Sequence, residues 1–239
     1  MDTVKLHQQK TKIIAHRGLS GIEPQNTNIA FVAAGNRSYY GIETDVHKTK
    51  DGKYVIIHDD NTANVSFCNL AVEETDYEIL RNIHLLDSDG LLGRLDLRIP
   101  RLEDYIKICK KYEKTAVLEL KNAFSAENIA EIVQIIRELG HLEQTIFISF
   151  HYQNLLFLRE LLPEHPLQFL TGEVDDKLIT CLKADRIELD IYYPRLNKEL
   201  VEKLHQNGIL VNCWTCDSKE DAQKLLDWGV DFITTDILE

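Results

Sequence analysis

Two short segments, Ile42-Glu43-Thr44-Asp45-Val46 and Ile56-Ile57-His58-Asp59, decide how this chain is organised. In an extended strand the side chains alternate between faces, so Glu43 and Asp45 point the same way. Both carboxylates interrupt an otherwise apolar run, and a buried carboxylate needs a partner. Because a hard divalent cation prefers oxygen ligands, the pattern favours a metal site over a surface hairpin whose charges face water.

The residues between the two segments predict a tight turn. Asp51-Gly52 is a strong hairpin signal. A turn centred on these two residues sets Asp45 directly opposite His58, so we expect the carboxylate pair to lie beside an imidazole.

Length and charge narrow the classes of protein to which the chain can belong. With 239 residues, it can form one domain around a large core. Its net charge of −12 argues against nucleic acid or an anionic membrane as the main partner. The sequence has neither the run of about 18 apolar residues that a membrane span needs nor an apolar secretion signal within residues 1–12. We therefore expect a cytoplasmic protein without stable membrane insertion, and a homodimer is allowed.

Strand and helix patterns alternate along most of the chain. Eight apolar segments can run as parallel strands, and a ninth, around Tyr54, returns antiparallel. The eight start near Ile13, Ile42, Ala116, Thr145, Leu167, Arg186, Ile209 and Asp231. This pattern predicts an α/β fold, a single closed (β/α)8 or TIM barrel over residues 1–239. An open doubly wound sheet is the alternative, but the G-x-G-x-x-G motif that would favour it is missing from the sequence.

Residues from about 60 to 98 interrupt this alternation after the second strand. They have weak periodicity and at most one short helix, around residues 74–81. A long stretch with little regular structure is typical of a lid or a binding loop. We expect a lid-like insertion over the site, with a solvated excursion as the alternative. We expect the insertion to be polar and to lack an obvious apolar docking surface.

Polar residues stand at the predicted carboxyl ends of the strands, where barrels of this kind gather their active sites. These are His16, Asp45, Glu119, Ser149, Thr171, Asp190, Trp214 and Asp236. Glu43, Asp45 and Glu119 offer three oxygen donors from two neighbouring strands. Such a set suits Ca²⁺ or Mg²⁺ better than a soft metal.

The remaining candidates suggest acid–base chemistry on an anion. His16 and His58 have side chains suited to general acid and base work, although each could be an ordinary core histidine. Arg17 and Lys121 add positive charge that suits a phosphate ester, or they simply pair with the nearby acids. Trp214 either walls the pocket or caps the barrel.

Nine short motifs, in order from residue 13 to the end, resemble those of the glycerophosphodiester phosphodiesterases. They are Ala15-His16-Arg17-Gly18, Pro24-Gln25-Asn26-Thr27, Glu43-Thr44-Asp45, Thr49-Lys50-Asp51-Gly52, His58-Asp59, Ile99-Pro100-Arg101-Leu102-Glu103, Leu118-Glu119-Leu120-Lys121, Trp214-Thr215 and Thr235-Asp236. The resemblance implies a (β/α)8 barrel with an insertion after its second strand. It also implies one divalent cation, Ca²⁺ or Mg²⁺, and cleavage of a small-molecule glycerophosphodiester to sn-glycerol 3-phosphate and an alcohol.

The resemblance also implies roles for individual residues. His16 and His58 would act as acid and base, and a substrate hydroxyl would attack phosphorus to form a cyclic phosphate that water then opens. The expected metal ligands are Glu43, Asp45 and Glu119, and the expected substrate-binding residues are Arg17, Lys121 and Trp214.

Three departures from the family pattern bear on the substrate. Gln25 stands where the family usually has Glu, the segment 60–64 differs from the usual Arg-Thr element, and Ile237 replaces a proline. Two alternatives therefore stay open. One is a phosphodiesterase for lysophospholipids or phosphoinositide-like diesters, and the other is a catalytically weak protein that binds a phosphodiester.

Overall fold

Eight parallel strands close into a barrel in the computed structural model, which describes residues 2–6 and 10–239. Strand β1 pairs with both β2 and β9, which closes the sheet, and β3 pairs antiparallel with β2 outside the ring. This confirms the predicted TIM barrel with one extra strand. The strands are β1 Lys12–Ala15, β2 Gly41–Lys48, β3 Tyr54–Ile56, β4 Thr115–Leu120, β5 Thr145–Ser149, β6 Leu167–Thr171, β7 Glu188–Tyr192, β8 Val211–Trp214 and β9 Phe232–Thr235.

Helices connect the strands and cover the outside of the barrel. They are α1 Asn28–Gly35, α2 Tyr77–Asn82, α3 Leu102–Lys111, α4 Ala126–Glu138, α5 Tyr152–Leu161, α6 Asp176–Asp185, α7 Lys198–Gln206 and α8 Lys219–Trp228. Thr27 caps α1 by accepting a hydrogen bond from the Ala30 N–H, and Ser125 caps α4 in the same way. Within the described ranges, none of the helices has both the length and the apolar composition of a membrane span.

The core of the barrel has two apolar layers, one between the strands and the helices and one inside the barrel. The carboxylates of Glu43 and Asp45 are on the inner side. Ile42 and Val46 of β2 pack into the outer layer between strands and helices, together with Phe31 and Tyr105. A smaller cluster fills the barrel interior: Ile14, Val117, Ile146, Ile148, Leu170 and Phe232. Because side chains alternate along a strand, residues 43 and 45 of β2 face this interior.

The hairpin register differs from the predicted one. Val46 pairs with Ile56, and the Ile57 N–H donates to the Asp45 carbonyl, so Ile57 lies opposite Asp45. The loop contains three residues, 50–52, and is closed by a 2.7 Å hydrogen bond from the Thr49 N–H to the Lys53 carbonyl. A three-residue loop shifts the pairing by one position relative to a two-residue turn. The prediction that His58 lies opposite Asp45 is therefore wrong by one residue.

Two strands begin two residues later than predicted because helix caps occupy their expected starts. Arg186 adopts a left-handed conformation with φ 55° and ends α6, so β7 begins at Glu188. The Ile209 N–H donates to the Leu204 carbonyl at the end of α7, so β8 begins at Val211.

The insertion has a small apolar core of its own. It contains a 3₁₀ turn, Val72–Glu74, and α2, and its buried side chains pack against Val55 and Ile57 beside the hairpin. The apolar side chains of Phe67, Leu91 and Leu95 nevertheless remain exposed. No contiguous patch of these side chains is established, so the expectation of an insertion without an apolar docking surface stays a prediction. Its role as a lid stays a prediction.

Gly18 lets the loop after β1 approach α1 closely, and this contact can be tested. Gly18 has φ +79°, and an added Cβ would lie 2.7 Å from both the carbonyl carbon and the Cβ of Ala30. We expect Gly18→Ala to lower the free energy of unfolding by about 1 kcal/mol for the left-handed backbone plus roughly 1 to 3 kcal/mol for the clash. Urea denaturation monitored by circular dichroism measures this loss.

Gly90 provides the matched control. Its φ is +78°, but an added Cβ would meet no atom within 4 Å among the described residues. Gly90→Ala should therefore cost only the backbone contribution, about 1 kcal/mol. Equal losses in the two variants would show that the approach to Ala30 is unimportant.

Candidate active site

Three buried carboxylates meet inside the barrel near the carboxyl ends of two neighbouring strands. Glu43 and Asp45 come from β2 and Glu119 from β4, and Asp45 is in register with Glu119. One oxygen from each of the three lies within 4.8 Å of the others. The structure thus brings together the three residues predicted as metal ligands.

The electrostatics of this carboxylate group favour a cation. Burial, followed by the charges of Asp45 and Glu119, raises the pKa of Glu43 well above its usual value. Burial and the charge of Asp45 likewise raise the pKa of Glu119 to about 7, although Lys121 opposes this. Burial would also raise the pKa of Asp45, but Lys121 and Arg17 outweigh it and lower that pKa.

The donor atoms fit a hard divalent cation. Asp45 Oδ1 is buried and accepts no hydrogen bond from the part of the chain that the structure describes. It stands among other carboxylate oxygens, the ligand type that Ca²⁺ and Mg²⁺ prefer. A buried oxygen that accepts no hydrogen bond, beside two further carboxylates and 3.4 Å from the Lys121 ammonium, is a suitable ligand for such a cation.

The two basic residues pair with these acids. Lys121 Nζ lies 2.9 Å from Glu119 Oε1 and 3.4 Å from Asp45 Oδ1. Arg17 Nε lies 3.5 Å from Asp45 Oδ2, and the Arg17 backbone N–H donates to Glu43 Oε2 over 2.9 Å. The ion pairs considered as the alternative for both residues are present, and their contact with a substrate phosphate stays a prediction.

Both candidate histidines are oriented by a carboxylate. His16 Nδ1 lies 2.7 Å from Asp236 Oδ1, and His58 Nδ1 lies 2.6 Å from Asp59 Oδ1. A hydrogen bond at Nδ1 fixes the ring and leaves Nε2 for proton exchange. Burial lowers the pKa of His58, while the charge of Asp45 opposes that shift, and this favours the neutral imidazole.

Several residues that support these groups received no individual role from the sequence. Asn26 donates from Nδ2 to Asp45 Oδ2 over 2.7 Å, and Gln25 Oε1 accepts a hydrogen bond from Arg17 Nη1. Asn64, in the insertion, donates to Asp59 Oδ2 over 2.7 Å. Residues 25 and 26 belong to the Pro24-Gln25-Asn26-Thr27 motif, and this motif was the sequence signal that could have indicated their role. Asn64 lies in a segment without a recognisable pattern.

Not every polar residue at a strand end faces the site. The Ser149 hydroxyl donates to the Leu120 carbonyl, and the Thr171 hydroxyl donates to the Glu173 carbonyl. Trp214 does face it, and its ring packs against Phe150 and Tyr192 with centroid distances of 5.6 Å in each case. Of the two readings of Trp214, a wall of the pocket agrees with this position.

A cavity of about 110 Å³ joins these groups. It is lined by His16, Arg17, Glu43, His58, Glu119, Ile148, Phe150, Leu170, Asp190, Trp214, Thr215 and Thr234. A wider cleft of about 440 Å³ also borders His16 and Arg17, and its other wall includes residues 85–88 of the insertion. Two histidines, two of the three clustered carboxylates and the Arg17 guanidinium therefore border one space.

The comparisons with known proteins agree with this arrangement. Residues 16–239 match the glycerophosphoryl diester phosphodiesterase family. A glycerophosphodiester phosphodiesterase of Caldanaerobacter subterraneus is 31% identical over 233 residues, covering 95% of this chain and 94% of that protein. One from Bacillus altitudinis is 30% identical over 236 residues, with 95% and 94% covered.

A solved structure extends the comparison to three dimensions. An Oleispira antarctica phosphodiesterase in complex with the product sn-glycerol-3-phosphate has a TM-score of 0.87 and 26% identity, covering 95% of this chain and 93% of that one. The chain therefore belongs to the glycerophosphoryl diester phosphodiesterase family. This confirms the family resemblance and the predicted enzyme class, a phosphoric diester hydrolase.

The carboxylate cluster predicts how the chain responds to cations. Mg²⁺ or Ca²⁺ at a hundredfold excess over its Kd should stabilise the fold by about 2.7 kcal/mol. Glu43→Gln should remove most of this gain because it removes a charged donor, and it should not lower the Tm in EDTA because it relieves repulsion between buried charges. Thermal unfolding with each cation and with EDTA measures both effects. Glu160→Gln, an exposed change on α5, is the control, and an undiminished cation response in Glu43→Gln would refute the site.

Glu119 predicts how stability in EDTA depends on pH. Its folded-state pKa of about 7 exceeds the ordinary value of 4.5, so the folded state binds more protons than the unfolded state between these values. Stability must then fall as pH rises from about 4.5 to 7, on the order of 2 kcal/mol from this group. Urea midpoints at pH 5 and pH 7.5 should show this fall in the wild type and a smaller fall in Glu119→Gln. Identical falls would contradict the assignment.

Proposed function

We propose that this chain hydrolyses glycerophosphodiesters to sn-glycerol 3-phosphate and an alcohol, with a divalent cation and two histidines as general acid and base. The observation that carries the proposal is a cavity lined by both histidines and by Glu43 and Glu119, whose carboxylates cluster with that of Asp45. The names of the relatives and the product bound to the Oleispira phosphodiesterase support the substrate class.

Glu43, Asp45 and Glu119 would hold one cation, Ca²⁺ or Mg²⁺, which suits their oxygen donors. When bound, such a cation neutralises charge on the phosphate oxygens. Arg17 and Lys121 would add positive charge beside it, because both already lie within 3.5 Å of Asp45 oxygens.

The two histidines would exchange protons through Nε2. His58, with Nδ1 held by Asp59, would accept the proton of the attacking hydroxyl, and His16, with Nδ1 held by Asp236, would protonate the leaving oxygen. The carboxylate at each Nδ1 stabilises the ring when it is protonated. Opening of a cyclic phosphate by water would use the same pair in reverse.

Residues 60–98 would act as a lid-like wall over the substrate. They contribute Val65, Leu85 and Leu86 to the wider cleft beside His16. Arg94 ties the insertion to the barrel through Glu23, with Nη1 3.1 Å from Oε2. The wall would limit the access of water to the reacting phosphate.

A second candidate substrate class is a lysophospholipid or a phosphoinositide-like diester. The exposed apolar side chains of Phe67, Leu91 and Leu95 on the insertion favour it, since an acyl chain needs apolar surface. A turnover screen of glycerophosphocholine, glycerophosphoinositol and a lysophospholipid against Ca²⁺, Mg²⁺ and EDTA distinguishes the classes. Binding of sn-glycerol 3-phosphate without turnover under any cation would point to a binding protein.

The cytoplasmic location and a homodimer stay predictions, for cell fractionation and light scattering to test.

The histidine roles predict a large kinetic loss with the fold retained. His58→Ala and His16→Ala should each lower kcat for glycerophosphocholine by about 100- to 10 000-fold, the range for a lost general acid or base. His205→Ala is the control, because His205 is exposed on α7 and pairs with Asp231 away from the cavity. Wild-type turnover in a folded His58→Ala variant would rule out the mechanism.

A further inference from the structure

One buried carboxyl group in the cavity has no task in the proposed mechanism. Asp190, on β7, is 1% exposed. Its Oδ1 accepts no hydrogen bond from residues 2–6 or 10–239. Its in-register neighbours offer none either: Leu170 is apolar, and the Asn212 side chain bonds to Gln168 and Thr234. A buried acceptor is expensive to leave unpaired, so this group suggests a missing partner.

The missing partner is best sought in the cavity. Asp190 lines the space of about 110 Å³ that also contains His16, His58 and Glu119. It does not belong to the cluster of carboxylates that could hold a cation. The strands beside it contribute Leu170 and Trp214, which also line the cavity. Asp190 is therefore the one carboxyl group on the cavity wall formed by β6, β7 and β8.

The chemistry of this wall narrows the ligand. Burial, with a smaller contribution from Glu119, raises the pKa of Asp190 well above its usual value. A carboxyl group accepts a hydrogen bond from a hydroxyl group in either protonation state, and in its neutral form it can also donate one. A carbon chain with hydroxyl groups fits such a wall, because its carbons can pack on Trp214 while a hydroxyl group meets the carboxyl.

We propose that Asp190 hydrogen-bonds a hydroxyl group of the substrate's glycerol moiety and thereby selects glycerol-bearing phosphates over phosphates with a plain alkyl chain. The proposal rests on the proposed function of this site, and it assigns Asp190 to recognition of the glycerol. A site built to hydrogen-bond a hydroxyl group discriminates strongly against an analogue that lacks it, because its own polar group is then left unpaired.

Calorimetric binding of two ligands to the Mg²⁺-loaded protein tests the proposal without requiring turnover. The ligands are sn-glycerol 3-phosphate and n-propyl phosphate, which has the same carbon chain without the hydroxyl groups. The wild type should prefer sn-glycerol 3-phosphate by at least about tenfold. Asp190→Ala should lose most of this preference by weakening only the binding of sn-glycerol 3-phosphate. Asp190→Asn should retain most of it, because an amide also donates and accepts.

Asn212→Ala is the control for a disturbed barrel interior. Asn212 is buried on β8, in register with Asp190 on β7, and its side-chain hydrogen bonds lie within the barrel. Its removal should therefore leave the ratio of the two affinities unchanged. If Asp190→Ala keeps the wild-type ratio, or weakens both ligands equally, the proposal is wrong. Should that variant not fold, Asp190→Ser is judged by the same ratio. Failure of the proposed function would appear separately, as a wild type that binds with the expected preference but does not hydrolyse diesters.

Discussion

The structure depends on keeping three carboxylates close together inside the barrel. Glu43, Asp45 and Glu119 bring oxygens within 4.8 Å of one another, where repulsion between negative charges is strong because little water screens it. Arg17 and Lys121 offset part of the repulsion, and burial together with the repulsion raises the pKa of Glu43 and Glu119, which favours proton uptake at both. A divalent cation held by Glu43, Asp45 and Glu119 would neutralise their charge in place of those protons, and its binding would stabilise the fold.

The orientation of the histidines follows from how the barrel closes. His16 follows β1 and Asp236 follows β9, and these two strands join the start of the sheet to its end. The backbone N–H of His16 also donates to the Thr235 carbonyl over 2.8 Å, which fixes the backbone beside the His16–Asp236 pair. His58 depends instead on its neighbour Asp59 and, through Asn64, on the insertion. One candidate histidine is therefore positioned by the barrel itself and the other partly by the insertion.

Sequence reasoning predicted what depends on periodicity and missed what depends on single backbone angles. The eight strands follow from short apolar runs that alternate with helical patterns along the chain. The shared direction of Glu43 and Asp45 follows from the alternation of side chains between the two faces of a strand. The hairpin register depends on a third residue in the loop, and the start of β7 depends on the left-handed conformation of Arg186. Neither feature has a strong signal in side-chain pattern. The partner of Asp45, Asn26, lies 19 residues away in the chain, and only tertiary structure reveals that contact.

Gln25 shows how a departure from the family pattern can leave the site intact. It accepts a hydrogen bond from the Arg17 guanidinium, so it holds that group in place as a carboxylate would. Unlike a carboxylate, it does not neutralise the guanidinium charge. Arg17 already faces Asp45, and a second negative partner would weaken its attraction for a phosphate. A neutral acceptor at position 25 therefore keeps Arg17 oriented and leaves its guanidinium charge less neutralised than a glutamate would.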